Sequence, residues 1–79
     1  MQIKYKTDTV ALKKIMIEQG ISTYRELSNR TNINRNTISQ IMKGSIQPSA
    51  EAMRQLVSVL KIPPAEAGII FFSPDLRTA

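Results

Sequence analysis

Thr23-Tyr-Arg-Glu-Leu-Ser-Asn-Arg-Thr-Asn-Ile-Asn-Arg-Asn-Thr-Ile-Ser-Gln-Ile-Met-Lys-Gly44 contains two short helix-forming segments with three residues between them. Ser22 and Thr23 offer an N-cap, and Glu26 completes a capping-box pattern three residues after Thr23. A helix is therefore predicted over about 24 to 30, with Leu27 facing inward. Thr31-Asn32-Ile33 is too short for anything but a tight turn, in which Asn32 tolerates the left-handed backbone that reverses a helix end. Asn34 then caps a second helix, whose residues Ile38, Ile41 and Met42 have the i, i+3, i+4 spacing of one inward face. Lys43 suits the negative end of that helix, and Gly44 stops it.

Upstream, Asp8 or Thr9 can cap a helix over about 9 to 19 that ends at Gly20, with Val10, Leu12, Ile15, Met16 and Ile17 largely on one broad face. Downstream, Ser45 to Pro48 reads as a loop. Ser49 caps a fourth helix with Glu51 in its first turn and Met53, Leu56, Val57 and Leu60 on one face, closed by Pro63 and Pro64. Pro64 suits the first position of a short fifth helix, Ala65-Glu66-Ala67. The segment from Gly68 to Ser73 is β-prone, and residues 2–6 alternate apolar and polar. These ends either pair as a small ribbon of residues 2–6 with 69–73, or leave a frayed N-terminus and a C-terminal plug on the core. The expected fold is all-α: a compact bundle of five short helices in one domain, residues 1–79.

Composition narrows the chemistry. At 42% hydrophobic and 22% charged, the 79 residues are too apolar for a disordered tail. There is no cysteine and no histidine, which removes disulfides, thiolate or imidazole metal ligands, cysteine nucleophiles and His-based acid/base catalysis. Six scattered carboxylates remain. The inventory points away from an enzyme, and neither a metal nor a cofactor is indicated; the methionines are expected in the core rather than in a cofactor site. The longest apolar runs, Ile15 to Ile17 and Ile69 to Phe72, fall far short of the ~20 residues of a membrane span. The opening residues lack the apolar stretch of a signal peptide, so a cytoplasmic protein with no membrane partner is expected.

Eleven Lys and Arg against six Asp and Glu give +5, unevenly spread. Residues 1–47 hold eight bases and three acids, whereas residues 48–79 hold three of each. The first part is thus the candidate for a polyanion, with a generally basic solvated surface as the plainer alternative. Two short helices joined by a three-residue turn, the second polar and basic outside, form the helix-turn-helix arrangement that sets a helix into the major groove of DNA.

In Leu27-Ser28, Ile38-Ser39, Gly44 and Pro48 at their spacing, the chain resembles the Cro/CI-type family of phage repressors and Xre-like regulators, also called lambda repressor-like. The resemblance covers about residues 10–62. Three places depart from the family. Ser28 stands where a small Ala is usual, and Asn32 where Gly is usual. Met16 and Met42 stand where the family often pairs an Arg with a Glu, so an apolar contact is expected in place of an ion pair.

The resemblance places base reading on Arg35 and Asn36 at the start of the third helix and on Gln40 one turn on, with Ser39 and Thr37 beside them. Arg can bond two acceptors on guanine, and Asn or Gln can bond adenine as donor plus acceptor. Thr37 would meet a thymine methyl or a phosphate. The resemblance also places Tyr24 on the sugar-phosphate backbone, joined by Asn34, Lys43, Ser45 and Gln47, contacts that position without specifying. The alternatives are an ordinary solvated face for Arg35, Asn36 and Gln40, packing of Tyr24 on Ile46 or Lys43, and a plain helix-end charge at Lys43. Lys4, Lys6 and Arg30 are expected to be solvated, an arm-like DNA contact by the N-terminus being the other option.

The function so implied is sequence-specific binding of double-stranded DNA by a small transcriptional regulator, a Cro-like phage, prophage or bacterial repressor. A domain this small reads few base pairs, so a homodimer on a pseudo-palindromic operator is expected. Its surface would lie in residues 64–79, at Ile69, Ile70, Phe71 and Phe72, unless these belong to the core. An alternative from another class is an antitoxin or a repressor-modulating module that binds a partner protein through the same four residues.

Overall fold

Four of the five helices among the described residues start at a side chain that accepts from an open backbone N–H, as the caps predicted. The computed structural model describes residues 5–74. Asp8 Oδ1 accepts from the Ala11 N–H at 3.1 Å and opens α1, Thr9–Glu18. Thr23 opens α2, Tyr24–Thr31, and Asn34 opens α3, Arg35–Met42. Ser49 Oγ accepts from the Ala52 N–H at 3.1 Å and opens α4, Ala50–Leu60. The last helix, α5, Pro64–Phe71, has no side-chain cap and begins on Pro64, whose missing N–H needs none.

The helix ends depend on left-handed residues. Gly20 (φ 79°) ends α1 and Gly44 (φ 78°) ends the turn after α3, where a side chain would be strained. After each, the next N–H returns to the helix: Ile21 to the Met16 carbonyl at 3.1 Å, and Ser45 to the Gln40 carbonyl at 2.9 Å. Asn32 (φ 61°) does the same work after α2. Lys61 (φ 53°) ends α4 two residues before the prolines that were expected to stop it, and Ile62 N–H closes on the Val57 carbonyl at 3.1 Å.

The core lies between these helices. α3 packs on both α2 and α1, α2 also meets α4, and α5 closes against α1 and α4. Leu12, Leu27, Ile38, Ile41, Leu56 and Leu60 are buried there, joined by Ile21, Ile33 and Ile62 from the connections. Met16 and Met42 are both buried in this cluster, where the resembled family often has an ion pair. No helix among the described residues is long and apolar enough to cross a membrane.

Three expectations need correction. The fifth helix continues through Phe71, so Gly68 to Phe71 is helical rather than extended. Ala67, Ile70 and Phe71 have the i, i+3, i+4 spacing of a helical face, and burying it outweighs the strand preference of the β-branched and aromatic residues. A ribbon does form, but from Tyr5–Lys6 (β1) and Ser73–Pro74 (β2), antiparallel, with Tyr5 opposite Pro74 and Lys6 opposite Ser73. Residues 2–4 of the expected N-terminal strand lie outside the described residues, as does Lys4 of the expected arm. On α1, only Leu12 and Met16 are buried; Val10 is 78% and Ile17 66% exposed. Seven residues apart, these two share one stripe, which turns away from the side that meets α3 and α5.

Candidate nucleic-acid interface

The turn between α2 and α3 sets the angle of α3, and side-chain hydroxyls hold it. Ser28 Oγ donates to the Ile33 carbonyl at 2.6 Å. Thr31, fully buried, donates from Oγ1 to the Leu27 carbonyl at 2.7 Å and accepts from the Ile33 N–H at 3.3 Å. The Ile33 N–H and carbonyl and the buried Thr31 hydroxyl are thereby satisfied, and Ile33 is buried in the core.

At the start of α2, Thr23 Oγ1 accepts from the Glu26 N–H at 3.1 Å. The Glu26 carboxylate turns to Arg30 Nη2 at 3.0 Å instead of closing the capping box. An ion pair one helical turn on, charge-assisted and exposed, takes the carboxylate that a neutral backbone N–H would have used. Arg30 is exposed and holds this surface ion pair. Tyr24, first in α2, is half-buried and packs against the core cluster.

α3 has two faces. Ile38, Ile41 and Met42 are buried, while Arg35, Asn36 and Gln40 are exposed and Thr37 and Ser39 lie at the margins. Asn34 Oδ1 accepts from the Asn36 N–H at 2.8 Å, which leaves the Asn34 Nδ2 group as a donor at the helix start. Among the described residues, the side chains of Arg35, Asn36, Gln40 and Lys43 have no hydrogen-bond or ion-pair partner. A guanidinium and two carboxamides with all their donors and acceptors open are suited to base edges. Lys43 stands exposed at the end of α3, followed by exposed Gly44 and Ser45.

Gln47, exposed in the α3–α4 loop, has its carboxamide engaged within the fold. Its Oε1 accepts from the Thr7 hydroxyl at 2.9 Å, and its Nε2 donates to the Phe71 carbonyl oxygen. Sequence reasoning had no signal for this tie, because its partners lie 40 and 24 residues away. The proposed dimer surface also divides. Ile70 and Phe71 are inside the core, whereas Ile69 is 68% and Phe72 52% exposed. Consecutive residues of one helix cannot all face outward, and burial takes the pair continuing the Ala67 face.

The model of a helix-turn-helix family matches residues 12–66, from α1 into α5. The chain belongs to this Xre and lambda repressor-like helix-turn-helix family. The match spans the whole α2–turn–α3 unit, and it makes the protein a DNA-binding regulator for which double-stranded DNA is the partner. Neither a curated protein nor a solved structure matches the chain.

Proposed function

We propose that this helix-turn-helix protein is a sequence-specific, Cro-like repressor that lays α3 in the major groove. The observation that carries this is the division of α3 into a buried Ile38, Ile41, Met42 face and an exposed Arg35, Asn36, Gln40 face with no side-chain partners among the described residues. In this reading Arg35 bonds guanine, Asn36 and Gln40 bond adenine, and Ser39 and Thr37 make shorter contacts at the edges of the helix. Tyr24, Asn34, Lys43 and Ser45 hold the phosphates on either side, and the amides at the start of α2 assist Tyr24.

The protein acts as a homodimer on a pseudo-palindrome, with half-sites about 10 base pairs apart. Exposed Ile69 and Phe72 supply the apolar contact. Phe72 borders an apolar groove between α4 and α5, lined also by Met53, Val57 and Ala67. Such a patch is what two copies would cover. It acts on DNA in the cytoplasm.

Selection of duplexes from a random pool tests the reading. Enrichment of one pseudo-palindromic sequence with guanine and adenine in each half-site is expected. A pool that stays random, with a partner protein retained through Ile69 and Phe72, would instead favour an interaction module.

A further inference from the structure

The loop leaving α3 is held from behind by one side chain. The Ser45 and Ile46 N–H groups fold back on the Gln40 carbonyl at 2.9 and 3.4 Å, and Pro48 is buried where α4 is about to begin. Between them, Gln47 bridges the Thr7 hydroxyl and the Phe71 carbonyl oxygen. Thr7 is buried just after β1, and Phe71 is the last residue of α5. Those two segments are themselves joined: the Asp8 N–H donates to the Ile70 carbonyl at 2.6 Å, and Lys6 stands opposite Ser73 in the ribbon. A single carboxamide thus connects the α3–α4 loop to the segment before α1 and to the end of α5.

We propose that Gln47 is a positioning residue for DNA binding, fixing the α3–α4 loop against the joined Thr7–Asp8 segment and α5 end so that Lys43 and Ser45 stand where the phosphates pass. This rests on the DNA-binding mode set out above. Both ends of the Gln47 carboxamide are engaged by protein partners although the residue is exposed, where a phosphate-contacting glutamine would leave its Nε2 open. The tie also lets the state of the β1–β2 ribbon and of the α5 end reach the loop, since loss of either partner frees one end of the same side chain.

A double-mutant cycle of Gln47→Met and Thr7→Val tests this, with duplex binding and amide hydrogen exchange as the two measurements. Both substitutions keep the shape of the side chain and remove its polar group, and unchanged exchange in α2 certifies the fold of each variant. Thr7→Val, which loses one hydrogen bond, is expected to bind the preferred duplex about three- to tenfold more weakly, and Gln47→Met, which loses two, at least as weakly, both still preferring that duplex over others. The double variant should be no weaker than Gln47→Met alone. Without DNA, the Ser45 and Ile46 amides should exchange about three- to tenfold faster in either variant.

Wild-type affinity in Thr7→Val beside a loss in Gln47→Met would show that the Thr7 bond does not position the loop for DNA, and would overturn the proposal. Additive losses, or wild-type affinity in both variants, would overturn it as well. If the wild type prefers no duplex, the DNA-binding mode fails separately. The exchange rates then still decide the tie, and unchanged Ser45 and Ile46 exchange would refute it.

Discussion

Ser28 Oγ lies 2.6 Å from the Ile33 carbonyl oxygen, across the turn that joins α2 to α3. At the position where the resembled family usually has Ala, the hydroxyl satisfies a carbonyl that the turn leaves outside any helix. Ser28→Ala should fit sterically yet lower stability by about 0.5 to 1.5 kcal/mol, the net value of such a bond. Urea unfolding would show a lower midpoint at unchanged slope. An unchanged midpoint would mean that water replaces the hydroxyl without loss.

Asn32 and Lys61 hold the left-handed backbone without being glycine. Because that conformation costs an ordinary L-residue about 1 to 2 kcal/mol, Lys61→Gly should raise the thermal midpoint. Asn32→Gly should be neutral or mildly stabilising, whereas Asn32→Val should lose about 1 to 2 kcal/mol, β-branching being worst there. A tolerated Val would argue against the turn as described.

Phe71 and Phe72 are neighbours with opposite fates, 2% and 52% exposed. Phe71→Ala should cost about 3 to 5 kcal/mol, a large share of a small domain's stability. Phe72→Ala should cost about 1 kcal/mol or less in the monomer. In sedimentation velocity, Phe72→Ala and Ile69→Ala should shift a dimer toward monomer without unfolding it. A dimer untouched by both would place the self-association surface elsewhere.

Much of the fold was legible because local chemistry and packing agree. Asp8, Thr23, Asn34 and Ser49 each cap where their hydrogen-bonding side chains suggested. The α5 end was misread because Ile69 to Phe72 favour strands individually, while the Ala67, Ile70, Phe71 face gains more by burial as a helix. Val10 and Ile17 group with Leu12 and Met16 on one broad apolar face in the sequence, yet stay exposed, because apolarity alone does not say which side of α1 meets a neighbour. On α3, the outward Arg35, Asn36 and Gln40 followed from the inward spacing of Ile38, Ile41 and Met42. The role of Gln47 could not be read from spacing: it depends on Thr7 and Phe71, which only the tertiary fold brings to it.

Lys43 stands exposed at the end of α3, without an ion-pair partner among the described residues. If it neutralises a phosphate, Lys43→Ala should weaken binding to all duplexes alike and reduce the salt slope by about 1, one fewer phosphate being neutralised. Affinity measured across a series of salt concentrations checks this. An unchanged slope would leave Lys43 as a helix-end charge.

The central claim is that α3 reads bases through Arg35. The most direct test is fluorescence anisotropy of wild type and Arg35→Ala on the selected duplex and on versions altered at single base pairs. Arg35→Ala should lose about 1 to 3 kcal/mol on the selected duplex and cease to distinguish guanine from other bases at one position of each half-site. Equal affinity and equal discrimination in both proteins would contradict the account.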